Sequence, residues 1–143
     1  MSTLAVGTIK SNSSVAPAIQ NTSGTVVGHF INKFVNFNGE ATGTILSSNG
    51  ISSVTDLGTG YYRINFSASF SDTNYAYALG AMNRFSSSST SGPTSDKNEG
   101  GDLRLKHDQK AAGTVEIQSW RHTNTVGEEA NDTPEICALF IGS

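Results

Sequence analysis

Apolar residues recur at every second position in short runs, and each run is closed by Gly, Asn or Ser. The runs include F-V-N-F-N at 34–38, Y-Y-R-I-N-F at 61–66 and T-V-E-I-Q at 114–118. A period of two sends alternate side chains to opposite faces of an extended chain, and runs this short with turn residues at both ends are the pattern of an antiparallel sandwich or barrel. Val35 and Phe37 share one face of the first run. Tyr62, Ile64 and Phe66 share the inward face of the second, and Val115 and Ile117 pair across a turn at Ala112-Gly113 with Leu103 and Leu105. Asn49-Gly50, between T-I-L-S-S and I-S-S-V-T-D, predicts a two-residue hairpin with a type I′ turn, and Asp56 to Gly60 predicts a second tight turn. Tyr75, Tyr77 and Leu79 alternate with Ala76, Ala78 and Gly80, which reads as a strand covered on both faces. E-I-C-A-L-F-I at 135–141 is apolar on both faces, as expected of a central strand. The segments 85–101 and 122–134 are polar and read as loops.

The expected fold is therefore an all-β antiparallel sandwich, with a jelly-roll as one form of it, spanning 33–143. Residues 1–32 lack the core pattern: Leu4, Val6 and Thr8 alternate with Ala5, Gly7 and Ile9, and a Ser/Asn/Thr-rich stretch follows. They read as an extended N-terminal arm that attaches to a neighbour by adding main-chain hydrogen bonds to a sheet edge, with Leu4, Val6 and Ile9 as its anchoring side chains.

Composition narrows the function. The 143 residues carry a formal net charge of −3, which gives no basic field for phosphate contacts, so nucleic acid is not an expected partner. There is no run of about 18 apolar residues, and Met1-Ser2-Thr3 opens without the charged and apolar regions of a signal peptide, so neither membrane insertion nor signal-peptide export is expected. Only 15% of residues are charged, and Ser, Thr and Asn abound. Surfaces kept soluble by hydroxyls and amides are common in fibres, adhesins and shells.

M-S-T-L-A-V-G-T-I-K, K-F-V-N-F-N-G, I-S-S-V-T-D-L-G-T-G-Y-Y-R-I-N-F and S-D-T-N-Y-A, in that order over residues 1–10 and 33–80, resemble a group of small phage proteins. These are mostly from marine phages and cyanophages, and are tail-fibre-like or unassigned virion proteins. The resemblance implies a β-rich structural protein without catalytic residues, trimeric, located in the virion and attached to other virion proteins of capsid or tail by its N-terminal segment. Two positions depart from the group: Phe34 stands where tryptophan is usual, and 20–32 replaces a more helical connector.

No enzyme motif is present. His29, His107 and His122 with Asp102, Asp108 and Glu116 supply side chains for acid–base or metal chemistry, but without the spacing of a metalloprotease helix, phosphate loop, EF-hand or nucleophile elbow. Neither catalysis, metal nor cofactor is expected. Trp120, Arg121 and His122 form the most binding-like cluster, readable as packing or a subunit interface on the side of Glu116 and Gln118, or as a platform for a host surface glycan. Arg104 and Lys106 read as a solvated charge row that discourages edge pairing. Cys137 reads as a small buried hydrophobe. Asn12, Asn21, Asn65 and Asn131 match the N-glycosylation pattern, as expected by chance in a chain this rich in Ser and Thr.

Two functions follow as expectations. One is a capsid decoration, knob or short fibre-like appendage, and the other is a tail-fibre receptor-binding module for host glycan.

Overall fold

The computed structural model describes residues 18–29, 31–82, 101–123 and 127–142. Among them every regular element is a strand: β1 (Ala18–Gln20), β2 (Val26–His29), β3 (Lys33–Asn38), β4 (Thr44–Asn49), β5 (Ile51–Gly58), β6 (Tyr61–Phe66), β7 (Ala76–Met82), β8 (Gly101–Lys110), β9 (Thr114–Thr123), β10 (Gly127–Ala130) and β11 (Glu135–Ile141). All pairings are antiparallel, and two sheets make a sandwich. The front sheet has the order β4-β3-β11-β7. In the back sheet β6 separates β5 from β9, and β8 lies along the other side of β9. β10 prolongs the line of β6, because it pairs with β9 at Trp120–Thr123 while β6 pairs at Thr114–Gln118.

The alternation read from the sequence is the core. Val35 and Phe37 of β3 and Ile136, Ala138 and Phe140 of β11 face Tyr62, Ile64 and Phe66 of β6 and Val115 and Ile117 of β9, all buried. Phe66 sits at the centre of an aromatic cluster, meeting Phe70, Tyr75 and Phe140 edge-on at 5.0–5.6 Å between centroids, an arrangement that adds to simple area burial. The β5–β6 and β8–β9 hairpins form at the turns read from the sequence.

A polar junction pins one end of the sandwich. The Tyr62 hydroxyl and the Gly60 amide both donate to Asp132 Oδ1 at 2.7 Å, the Gly39 amide donates to the Thr133 carbonyl, and the hydroxyls of Ser119 and Thr133 bond each other in full burial. The chain approaches so closely here that a side chain has no room. A Cβ on Gly60, whose φ is +71°, would lie 2.5 Å from the Ser119 carbonyl oxygen, and one on Gly39 would lie 2.5 Å from the Tyr62 hydroxyl.

Several expectations are corrected. Asn49-Gly50 does not close a hairpin: β4 pairs with β3 and β5 with β6, so Gly50 (φ +68°) is where the chain crosses from front to back sheet. The turn with two positive φ angles lies instead at Thr42-Gly43 (55° and 74°), closed by a bond from the Thr44 amide to the Ala41 carbonyl. β7 is the edge of the front sheet and its outward residues Ala76, Ala78 and Gly80 are exposed, so it is covered on one face only. β11 is central in hydrogen bonding, but Cys137 and Leu139 on its outer face are exposed, and Cys137 is not the buried hydrophobe expected. Part of the 122–134 loop is strand β10. Of the N-terminal segment 1–32, residues 18–29, 31 and 32 are described, and their two strands pair with each other apart from the sandwich. β1 and β2 form a hairpin whose turn is held by Asn21 Oδ1, which accepts from the amides of Ser23 and Thr25. Sequence neighbours pair in β1–β2, β3–β4, β5–β6, β8–β9 and β9–β10, and this connectivity does not establish a jelly-roll winding.

Candidate functional site

The two outer faces differ in chemistry. On the back sheet, position parity turns Arg63, Glu116, Gln118, Trp120, Arg104 and Lys106 outward, and these charges are paired. Arg63 donates to Glu116 Oε1 at 2.6 and 3.1 Å, Lys106 lies 3.8 Å from the other oxygen of Glu116, and Arg104 bridges Asp102 at 2.8 Å and Glu128 at 2.9 Å. Those two carboxylates hold the Arg104 guanidinium above its ordinary pKa. The solvated row expected of Arg104 and Lys106 is thus a cross-strand network. Asn65, on the same face, donates its amide to the hydroxyls of Ser53 and Thr55.

Trp120 occupies the upper end of this face. Its indole N–H donates to Gln118 Oε1 at 3.3 Å, Tyr61 meets it edge-on at 6.4 Å, and the Arg104 guanidinium lies 5.8 Å over the ring. Tyr61 carries no signal of its own in the sequence, and its register opposite Gln118 brings it there. The guanidinium near the indole is itself held by two carboxylates, and Trp120 is half-buried. Arg121 and His122 continue β9 opposite Glu129 and Glu128, and their side chains lie outside the described residues.

The front sheet's outer face is nearly uncharged. Ala76, Ala78 and Gly80 of β7 stand beside Ile141, Leu139 and Cys137 of β11, which in turn adjoin Phe34 and Asn36 of β3. Leu139 is 38% exposed and Leu46 of the neighbouring β4 is 58% exposed. The one charge among them, Glu135, accepts a 2.6 Å hydrogen bond from the Asn36 amide. Burial and the nearby Glu135 carboxylate both push the Cys137 thiol up, which disfavours the nucleophilic thiolate. In the β1–β2 hairpin Ile19, Val26 and Val27 are likewise exposed, as is Ile31 after it.

Of the remaining candidates, Leu4, Val6, Ile9 and Asn12 lie outside the described residues, as do the side chains of His29 and His107. Asp102 and Glu116 are occupied in ion pairs, and Asp108 is exposed. Asn131 donates its amide to the Asp132 carbonyl. Among the described residues no group of three metal-ligating side chains converges, and no helix is long and apolar enough to cross a membrane. Comparison with family models, with curated proteins and with solved structures returned no match.

Proposed function

We propose that this protein is a non-enzymatic structural component of a bacteriophage particle: a capsid-surface decoration, knob or short fibre-like appendage that acts as a homotrimer and attaches to other virion proteins. The observation that carries the reading is the asymmetry of the sandwich. The back sheet spends its outward charges on one another in a form suited to water, whereas the β7–β11 half of the front sheet presents small and apolar side chains, with uncharged polar Asn36, Ser47 and Asn49 toward β4 and Glu135 as the one charge beside them. An exposed, uncharged strand pair with Leu139 among small side chains supports an interaction surface there. β7 at its edge also offers unpaired main-chain groups that closed symmetry would protect.

Size argues for more than one contact region. Four strands about 4.8 Å apart and about six residues long at roughly 3.3 Å each make a face of roughly 400 Å². A stable interface takes about 800 Å² from each partner. The exposed Ile19, Val26 and Val27 of the β1–β2 hairpin are the natural complement, which supports a role of the N-terminal segment in assembly.

Sedimentation at micromolar concentration tests this. The wild-type chain is expected to run as a trimer, Leu139→Lys as a folded monomer, and a chain starting at Ile31 as a folded species of weakened association that no longer enters particles. A wild-type monomer in solution that is also monomeric in the particle overturns the proposal. A second reading, a receptor-binding module for host glycan, is favoured by the Tyr61–Trp120 aromatic pair beside polar side chains. It requires Trp120→Ala to abolish adsorption of phage to cells while leaving particle assembly intact.

A further inference from the structure

A cavity of about 450 Å³ opens to solvent at the seam between the sheets, where the start of β7 meets the end of β8, lined by Thr73, Asn74, Tyr77, Leu105 and Lys110. The fold makes it for a local reason. Tyr77 stands opposite Phe140 and so faces the other sheet, but β7 is an edge strand and the ring is 47% exposed. Across the seam the β8 ladder shifts register between Leu105 and Lys110, and this irregularity brings Lys110 back toward β7. The Lys110 ammonium donates to the Tyr75 carbonyl at 2.8 Å, and lies 4.2 Å from the centroid of the Tyr75 ring and 5.5 Å from that of Tyr77. These contacts hold it in place at the mouth of the cavity. Arg63, Arg104 and Lys106 each have a carboxylate within 4 Å, but among the described residues Lys110 has none. An ammonium has three donors, and the Tyr75 carbonyl uses one.

We propose that this cavity binds a carboxylated monosaccharide, such as a uronic acid residue of a polysaccharide. Its volume lies in the range of about 300–1,000 Å³ usual for small-molecule sites. The Tyr77 ring and Leu105 supply an apolar wall for the C–H face of a pyranose. The Thr73 hydroxyl and Asn74 amide supply donors and acceptors for ring hydroxyls, and the free donors of Lys110 supply a fixed cation for the carboxylate. A neutral sugar leaves that cation unused, and a small free carboxylate leaves the aromatic wall unused. The site lies on the inward side of β7, away from the apolar outer face, and sugar binding is read separately from the oligomeric state that tests the assembly proposed above.

The test is a titration of the wild-type full chain with glucuronic and galacturonic acids, with glucose and galactose as neutral counterparts and acetate as the bare carboxylate, followed by NMR shifts and calorimetry. The uronic acids are expected to bind saturably and at least about tenfold more tightly than either control class, the discrimination of one charge-assisted hydrogen bond. Lys110→Gln and Tyr77→Ala are each expected to weaken binding about tenfold or more. Asn74→Ala, in an exposed turn, provides a variant that leaves the fold untouched should either of those unfold. Failure of the uronic acids to bind at tens of millimolar overturns the proposal. So does equal binding of the neutral sugars or of acetate, or uronic acid binding that none of the three variants weakens.

Discussion

The Tyr62 ring is buried among Phe37 and the rest of the core, yet its hydroxyl reaches out of that core to the Asp132 carboxylate. Burial first, and then the hydrogen bond and charge of Asp132, push its pKa far above the usual tyrosine value, and burial pushes Tyr75 up to about 12. The folded protein therefore holds both phenolic protons more tightly than the unfolded chain. Their contribution to stability is complete below the unfolded value of about 10 and is lost as pH rises above it. Urea midpoints are expected to hold level from pH 7 to about 9.5 with respect to these groups and then to fall. In Tyr62→Phe the fall should be shallower, against a loss of about 1–3 kcal/mol at neutral pH for the bond to a charged acceptor. An identical alkaline slope in the variant would contradict the assignment. Nothing in the sequence pairs Tyr62 with Asp132, because they are 70 residues apart. Tyr62 was legible as an inward-facing residue, but its polar partner was set by the junction of three turns.

Strands announce themselves where one face is buried and the other wet. Val35 and Phe37, Tyr62, Ile64 and Phe66, and Val115 and Ile117 were all legible because period-two alternation is itself the cause of their burial. Ile64, fully buried at the centre of β6, tests that cause directly. Ile64→Ala is expected to cost about 2–5 kcal/mol in denaturant unfolding, and a loss below about 0.5 kcal/mol would mean that the register is reversed. The misread elements lacked the signal or carried it ambiguously. β10 is Gly-Glu-Glu-Ala, without an apolar position to alternate, and becomes a strand by pairing with the long β9. Asn49-Gly50 has the composition of a hairpin turn, but Gly50 serves there as the hinge between sheets, with its backbone against Asn32 and Lys33. In β11 the apolar outer residues Cys137 and Leu139 read as a second buried face. Local sequence does not distinguish a face covered by the same chain from one left open. The Tyr77–Lys110 cavity was invisible for a related reason: it depends on a register shift in β8 and on the edge position of β7, neither of which the alternation encodes.

At the scale of the molecule, the chain closes on itself late. Asn36 of β3 bonds Glu135 of β11 across 99 residues, and the inner pair of the front sheet cannot form until almost the whole sandwich has been gathered. Such non-local pairing implies slow folding, and refolding from urea is expected to proceed in milliseconds to seconds. A dominant microsecond phase in stopped-flow or temperature-jump fluorescence of Trp120 would show that local hairpins carry the barrier instead. The same closure places the two ends of the sandwich side by side: the Gly142 amide donates to Asn32 Oδ1 at 3.0 Å, and Lys33 is paired with Phe140. The consequence is mechanical. Tension applied between those ends pulls across the β3–β11 ladder from one end, so its hydrogen bonds are loaded one after another and not together. The domain would unzip under such a load at modest force, whereas a load carried through the N-terminal side alone never crosses that ladder. As a tethered unit the sandwich is suited to hang from one end, and ill-suited to serve as a link in a chain under tension.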